Sequence, residues 1–98
     1  MIYNAYTITI PPIETSTVHF NFSAEAAGVA FSFDFWFFSD RWNVYVTLPD
    51  GTIREAVLYA NVQNWVGYSD YRLVAMTDKT TIGQTDLQLI QLKLAVLE

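Results

Sequence analysis

The sequence predicts an all-β fold: a small, single-domain antiparallel sandwich or barrel of roughly six to seven strands. Three observations carry this. Apolar residues alternate with polar ones at a period of two along most of the chain. No stretch combines a helix start signal with apolar residues at helical spacing. Turn-forming residues recur at short intervals, which suits hairpins and leaves no room for crossover helices.

The elements follow in order. Tyr6 to Ile10 alternates weakly and stops at Pro11-Pro12, which cannot donate ladder hydrogen bonds. The segment 1–16 is therefore expected to be an N-terminal strand followed by a proline-containing arm, with the main sheet in 17–98. Val18, Phe20 and Phe22 alternate with His19, Asn21 and Ser23. Ser23 to Gly28 is small and turn-like. Phe31, Phe33, Phe35 and Phe37 then line one face of a strand, opposite Ser32, Asp34, Trp36 and Phe38. After a turn at Ser39-Asp40-Arg41, the residues Trp42, Val44, Val46 and Leu48 alternate with Asn43, Tyr45 and Thr47. Pro49-Asp50-Gly51 is a strong hairpin signal, with Gly51 needing a positive φ. Thr52 to Ala60 reads as the return strand, and Asn61 to Tyr71 as an aromatic loop holding Trp65, Tyr68 and Tyr71. Arg72 to Thr77 is a short strand, and Asp78 to Asp86 a polar surface loop. Leu87 to Leu97 closes the chain with Ile90, Leu92, Leu94 and Val96 inward. The break in alternation at Leu89-Ile90 predicts a bulge or bend.

Composition bounds the function. The 98 residues suffice for one domain, and 52% hydrophobic with 16% aromatic content is enough to support a core. No window holds the run of about 18 apolar residues that a spanning helix needs. The opening residues lack the basic start and apolar run of a secretory leader. With no cysteine, disulfides, thiol chemistry and cysteine-held zinc are excluded. The net charge of −5 is the wrong sign for a nucleic-acid binder. At 15% charged, against about 25% in an ordinary domain, the surface is unusually apolar.

Candidate chemistry is sparse. His19 is the single histidine, so a Ser-His-Asp triad or a histidine metal site would have to use it. Its position on the polar side of an alternating segment reads as a surface imidazole. Asp34, set among phenylalanines, would suit a general acid if desolvation raised its pKa, but an arginine partner or a solvated edge explains it equally. Trp36, Trp42, Trp65, Tyr68 and Tyr71 would suit a sugar-stacking platform, and equally a core or a protein contact. No phosphate-loop, dinucleotide or zinc-protease motif is present. The expectation is a protein with no catalytic residue, cofactor or metal.

The strongest signal is Phe31 to Phe38, where both faces turn aromatic towards the end. A one-sided sheet would keep its outer face polar. Either both faces of this strand are covered within the domain, or Trp36 and Phe38 belong to an interface. A small domain buries a limited share of its surface, and leftover apolar patches mark partner sites. Trp36 and Phe38, helped by Trp65 and Tyr68, are thus the candidate partner interface.

The order of motifs also resembles a known family. An aromatic strand (Phe33 to Phe38) precedes Trp42-Asn43-Val44-Tyr45-Val46, then Asp50-Gly51, Ala56-Val57-Leu58, Tyr71-Arg72-Leu73 and Thr85-Asp86-Leu87. This is similar to the baseplate plug proteins of contractile-tailed phages, as described for a cyanophage baseplate, from about Val18 to Leu97. The resemblance implies a structural, non-catalytic subunit of the virion tail that folds in the host cytoplasm. It would pack with the hub and the tail-tube initiator at the tail tip, in a homo- or hetero-oligomer, without reading nucleic-acid sequence or entering a membrane. The alternative is a carbohydrate- or ligand-binding β module.

Overall fold

The computed structural model describes residues 2–98. Strands β1 (Tyr3–Ile8), β2 (His19–Ala26), β3 (Val29–Phe38), β4 (Arg41–Thr47), β5 (Ile53–Val57), β6 (Gln63–Trp65), β7 (Arg72–Met76) and β8 (Gln91–Leu97) form two antiparallel four-stranded sheets. One has the order β2-β3-β4-β5, a meander of consecutive hairpins. The other has the order β1-β8-β7-β6. They pack as a sandwich, and among the described residues no helix is long and apolar enough to cross a membrane.

The alternation decides which side chains meet. Phe31, Phe33 and Phe35 are essentially inaccessible, as are Val44 and Val46 beside them on β4 and Leu73, Leu92 and Leu94 from the facing sheet. The phenylalanine face of β3 is therefore the core face, as alternation predicts. Phe20 and Phe22 extend it, with ring centroids 4.9 Å from Phe35 and 5.3 Å from Phe33 respectively. Trp42 lies under these rings, fully buried, and its indole N–H donates to the Gly83 carbonyl at 3.1 Å. Burial without that partner would be costly.

Three hairpins build the meander. Ala27 (φ 54°) and Gly28 (φ 78°) close β2 onto β3, and Ser39 (φ 54°) and Asp40 (φ 59°) close β3 onto β4. Both are two-residue turns with positive φ at each position, the geometry that matches strand twist. In the third, Gly51 has φ 87°, as the sequence requires, and the Asp50 carboxylate accepts from the Thr52 N–H at 2.9 Å. That hydrogen bond holds the Asp50 carboxyl below its ordinary pKa.

The structure differs from the expected elements at five places. Ser23 to Ala26 stays in β2, and the turn is confined to Ala27-Gly28. The return strand β5 ends at Val57 rather than Ala60, because the chain crosses there to the other sheet, where Ala60 bridges Ala75. The expected loop 61–71 contains strand β6, paired with β7. Leu87–Leu89 is a 3-10 turn, not strand, and Ile90 returns the chain to β8. The N-terminal strand runs Tyr3–Ile8 rather than Tyr6 to Ile10, and it is one edge of the second of two four-stranded sheets, so residues 17–98 do not form a main sheet without it; it is paired from Tyr3↔Leu97 to Ile8↔Leu92.

The crossover is held by asparagines. Asn61 (φ 61°) accepts from the Thr77 N–H at 2.9 Å and donates to the Thr77 carbonyl at 2.7 Å. Asn64 is buried. Its amide donates to the carbonyls of Tyr59 and Leu73, both at 3.2 Å, and its oxygen accepts from the Tyr59 N–H at 3.3 Å.

Candidate functional site: two outer faces

Because Phe33 and Phe35 point inward, Asp34 and Trp36 project from the outer face of the β2–β5 sheet. The two-residue turn sets the register, placing His19 directly opposite Trp36 and Asn21 opposite Asp34. His19 and Trp36 stack with centroids 3.6 Å apart and planes 17° from parallel. Asp34 joins them: one carboxylate oxygen lies 2.7 Å from His19 Nε2, and the other accepts from the Trp36 indole N–H at 3.0 Å. The three side chains that the sequence raises separately are thus one hydrogen-bonded unit, partly open to solvent. Across the same row lie Tyr45 and Glu55. The Tyr45 hydroxyl is raised above its ordinary pKa, first by its hydrogen bond to Glu55 and then by desolvation. Beside the unit is a shallow cavity of about 230 Å³, whose lining includes Asn21, Ser23, Ser32, Asp34, Tyr45 and Thr47. Ser23 and Ser32 hydroxyls lie 3.1 Å apart and bond to each other, while the imidazole is engaged by Asp34. Phe38, half exposed, stands further along the same strand face.

The outer face of the other sheet carries a second aromatic cluster. Asn64 points inward, so Trp65 points out and faces Arg72 across the β6–β7 ladder. The Arg72 guanidinium lies 4.8 Å from the Trp65 ring centroid and 5.5 Å from that of Tyr3. Small Ala95, between β7 and β1 in the sheet, leaves space for this bridge. Arg72 also donates to the carbonyls of Ser69 and Tyr71, each at 2.9 Å. Tyr68, at 91% the most exposed large apolar side chain described, meets Trp65 edge-on at 6.5 Å.

The structure therefore divides the four candidate residues. Trp36 and Phe38 share the outer face of the β2–β5 sheet. Trp65 and Tyr68 belong to the outer side of the other. The charges divide as well. Glu25, Asp34 and Glu55 project from the first face, with His19 and Arg41, whereas Arg72 and Lys93 project from the second. A single sugar-stacking platform is not formed, because Trp42 is buried in the core and Tyr71 packs edge-on against Phe31 at 5.2 Å. Among the described residues, no three histidine, aspartate or glutamate side chains converge in a way that would hold a metal ion.

The Asp34 unit was within reach of sequence reasoning. Once the turn is placed at Ala27-Gly28, strand pairing alone sets His19 opposite Trp36, two residues from Asp34. Comparison with protein-family models, with curated proteins and with solved structures finds no match to this chain.

Proposed function

We propose that this chain is a structural subunit of a phage tail baseplate, packed at the tail tip between the hub and the tail-tube initiator, with no catalytic role. The observation that carries the reading is the pair of aromatic clusters on opposite outer faces, one acidic and one basic in surroundings. A module with one ligand needs one such face. A subunit inserted between two different neighbours needs two, and aromatic and arginine side chains are the usual anchors of interfaces. The resemblance of the motif order to that of baseplate plug proteins supports the same reading.

The test is co-expression with the products of neighbouring reading frames, followed by isolation of the complex. Trp36→Asp and Trp65→Asp should each leave the β-type circular dichroism spectrum unchanged. Each should abolish a different contact, one with the hub-like partner and one with the tube-like partner. Full incorporation of both variants would refute the proposal.

A second reading rests on the cavity beside Asp34 and Tyr45. Hydroxyl, amide and carboxylate groups from Ser23, Ser32, Asn21 and Asp34 line it beside the Tyr45 ring, and such a lining suits a small polyhydroxylated ligand, which supports a carbohydrate-binding module. Titration with a panel of oligosaccharides, read by chemical-shift changes at Asn21, Asp34 and Trp36, decides this. Shifts at those residues, lost in Tyr45→Ala, would favour it over the tail reading.

A further inference from the structure

The strand pairings leave unequal edges on the sandwich. Strand β6 has three residues, and the β5 edge is engaged by the Gly67 N–H, which donates to the Glu55 carbonyl at 2.8 Å. Strand β2 and the six-residue β1 both lack proline, lysine and a bulge, and β2, at eight residues, is the longer of these two open edges. Exposed edges usually carry such features, which block pairing with a further strand.

The direction of its free groups follows from the ladder. Phe37 N–H donates to the Val18 carbonyl at 2.8 Å, so even-numbered residues of this strand bond to β3. The N–H and C=O groups of His19, Asn21, Ser23 and Glu25 therefore point away from the sheet. Among the described residues, no other segment hydrogen-bonds to them.

We propose that the β2 edge pairs with the β2 edge of a second copy of this chain, antiparallel about a two-fold axis through Phe22. The occupant is identified by self-complementarity. In that register His19 faces Glu25 of the second copy, and Asn21 faces Ser23 of the second copy, each twice by symmetry. An imidazole and a carboxylate, and an amide and a hydroxyl, thus meet directly across the ladder as hydrogen-bonding partners. On the other face Phe22 meets its own symmetry mate, and Phe20 meets Ala24. Both phenylalanines are only half buried in the single chain, so the junction completes their cover. Shifting the register by two residues in either direction loses the His19–Glu25 pairing and leaves an outward residue unpaired. The product is one continuous sheet, β5-β4-β3-β2 running into its copy, with an isologous interface. This inference is independent of the tail reading.

The test is the oligomeric state of the full chain, by sedimentation over a range of concentrations. The native chain should sediment as a dimer. Asn21→Pro removes an outward N–H that β3 does not use, so the fold should persist while the mass falls to that of a monomer. Glu25→Arg, which removes the carboxylate acceptor facing the His19 imidazole and sets a donor-only group in its place, should weaken the dimer at least tenfold. The register has its own check, since the native chain has no cysteine. Under oxidation, a mixture of Asn21→Cys and Ser23→Cys chains should yield the mixed disulfide dimer, and neither variant alone should cross-link efficiently. This cysteine experiment decides the matter even if Asn21→Pro fails to fold. A monomeric native chain, a dimer that survives Glu25→Arg undiminished, or cross-linking without the expected pairing would each overturn the proposal. So would capture of an extended segment from a different protein on this edge.

Discussion

At the scale of single residues, two polar side chains illustrate how local chemistry fixes the fold. Asn64 occupies a position facing the core, where alternation would place an aliphatic side chain. It is tolerated because both ends of its amide are satisfied by backbone groups of Tyr59 and Leu73. Asn64→Leu would free those groups in a dry environment, so it should cost about 1–3 kcal/mol, read from the urea midpoint. Asn64→Asp should cost more, since a carboxylate cannot donate to either carbonyl and carries a buried charge. Asp50 works in the opposite setting, fully in solvent. Its carboxyl is held below the ordinary value by the Thr52 N–H, so its stabilising effect is present above the unfolded carboxylate pKa. That effect is lost as pH falls through the folded value. An NMR titration should find the Asp50 midpoint below that of an unstructured aspartate.

At the scale of elements, the hairpins carry most of what is legible in the sequence. Pro49-Asp50-Gly51 was readable because proline and glycine leave few alternatives. The turn at Ala27-Gly28 was blurred because Ser23 to Ala26 has the small, weakly strand-forming residues that also populate turns. Ala27 has φ 54°, an unfavourable conformation for alanine that asparagine tolerates well. Ala27→Asn should therefore raise stability by about 0.5–1 kcal/mol, which for a domain of this size shifts the melting temperature by a few degrees. Gly51→Val, at φ 87°, should lower stability by about 1 kcal/mol or more. Strand β6 escaped the sequence for a different reason. Its pattern is inverted, with asparagine inside and tryptophan outside, so hydrophobic alternation cannot detect it. Trp36 and Phe38 stand out as aromatics on a polar face, but His19 lies on β2, and only the pairing register brings it onto Trp36.

At the scale of the whole molecule, the sandwich is assembled from two kinds of connection. The β2–β5 sheet is made of neighbouring hairpins. The other sheet draws its strands from both ends of the chain, with Ile2 and Glu98 exchanging backbone hydrogen bonds of 2.8 Å in each direction. The consequence concerns the order of events in time. Closing a short hairpin loop loses little chain entropy, whereas joining β1 to β8 closes nearly the full length. The meander should therefore organise early, offering its phenylalanine face as a template, and the β1–β8 ladder should lock last. In pulse-labelled hydrogen exchange, amides of Phe33, Phe35 and Val44 should gain protection before those of Asn4 and Tyr6. Simultaneous protection of all five would mean that the two sheets condense together.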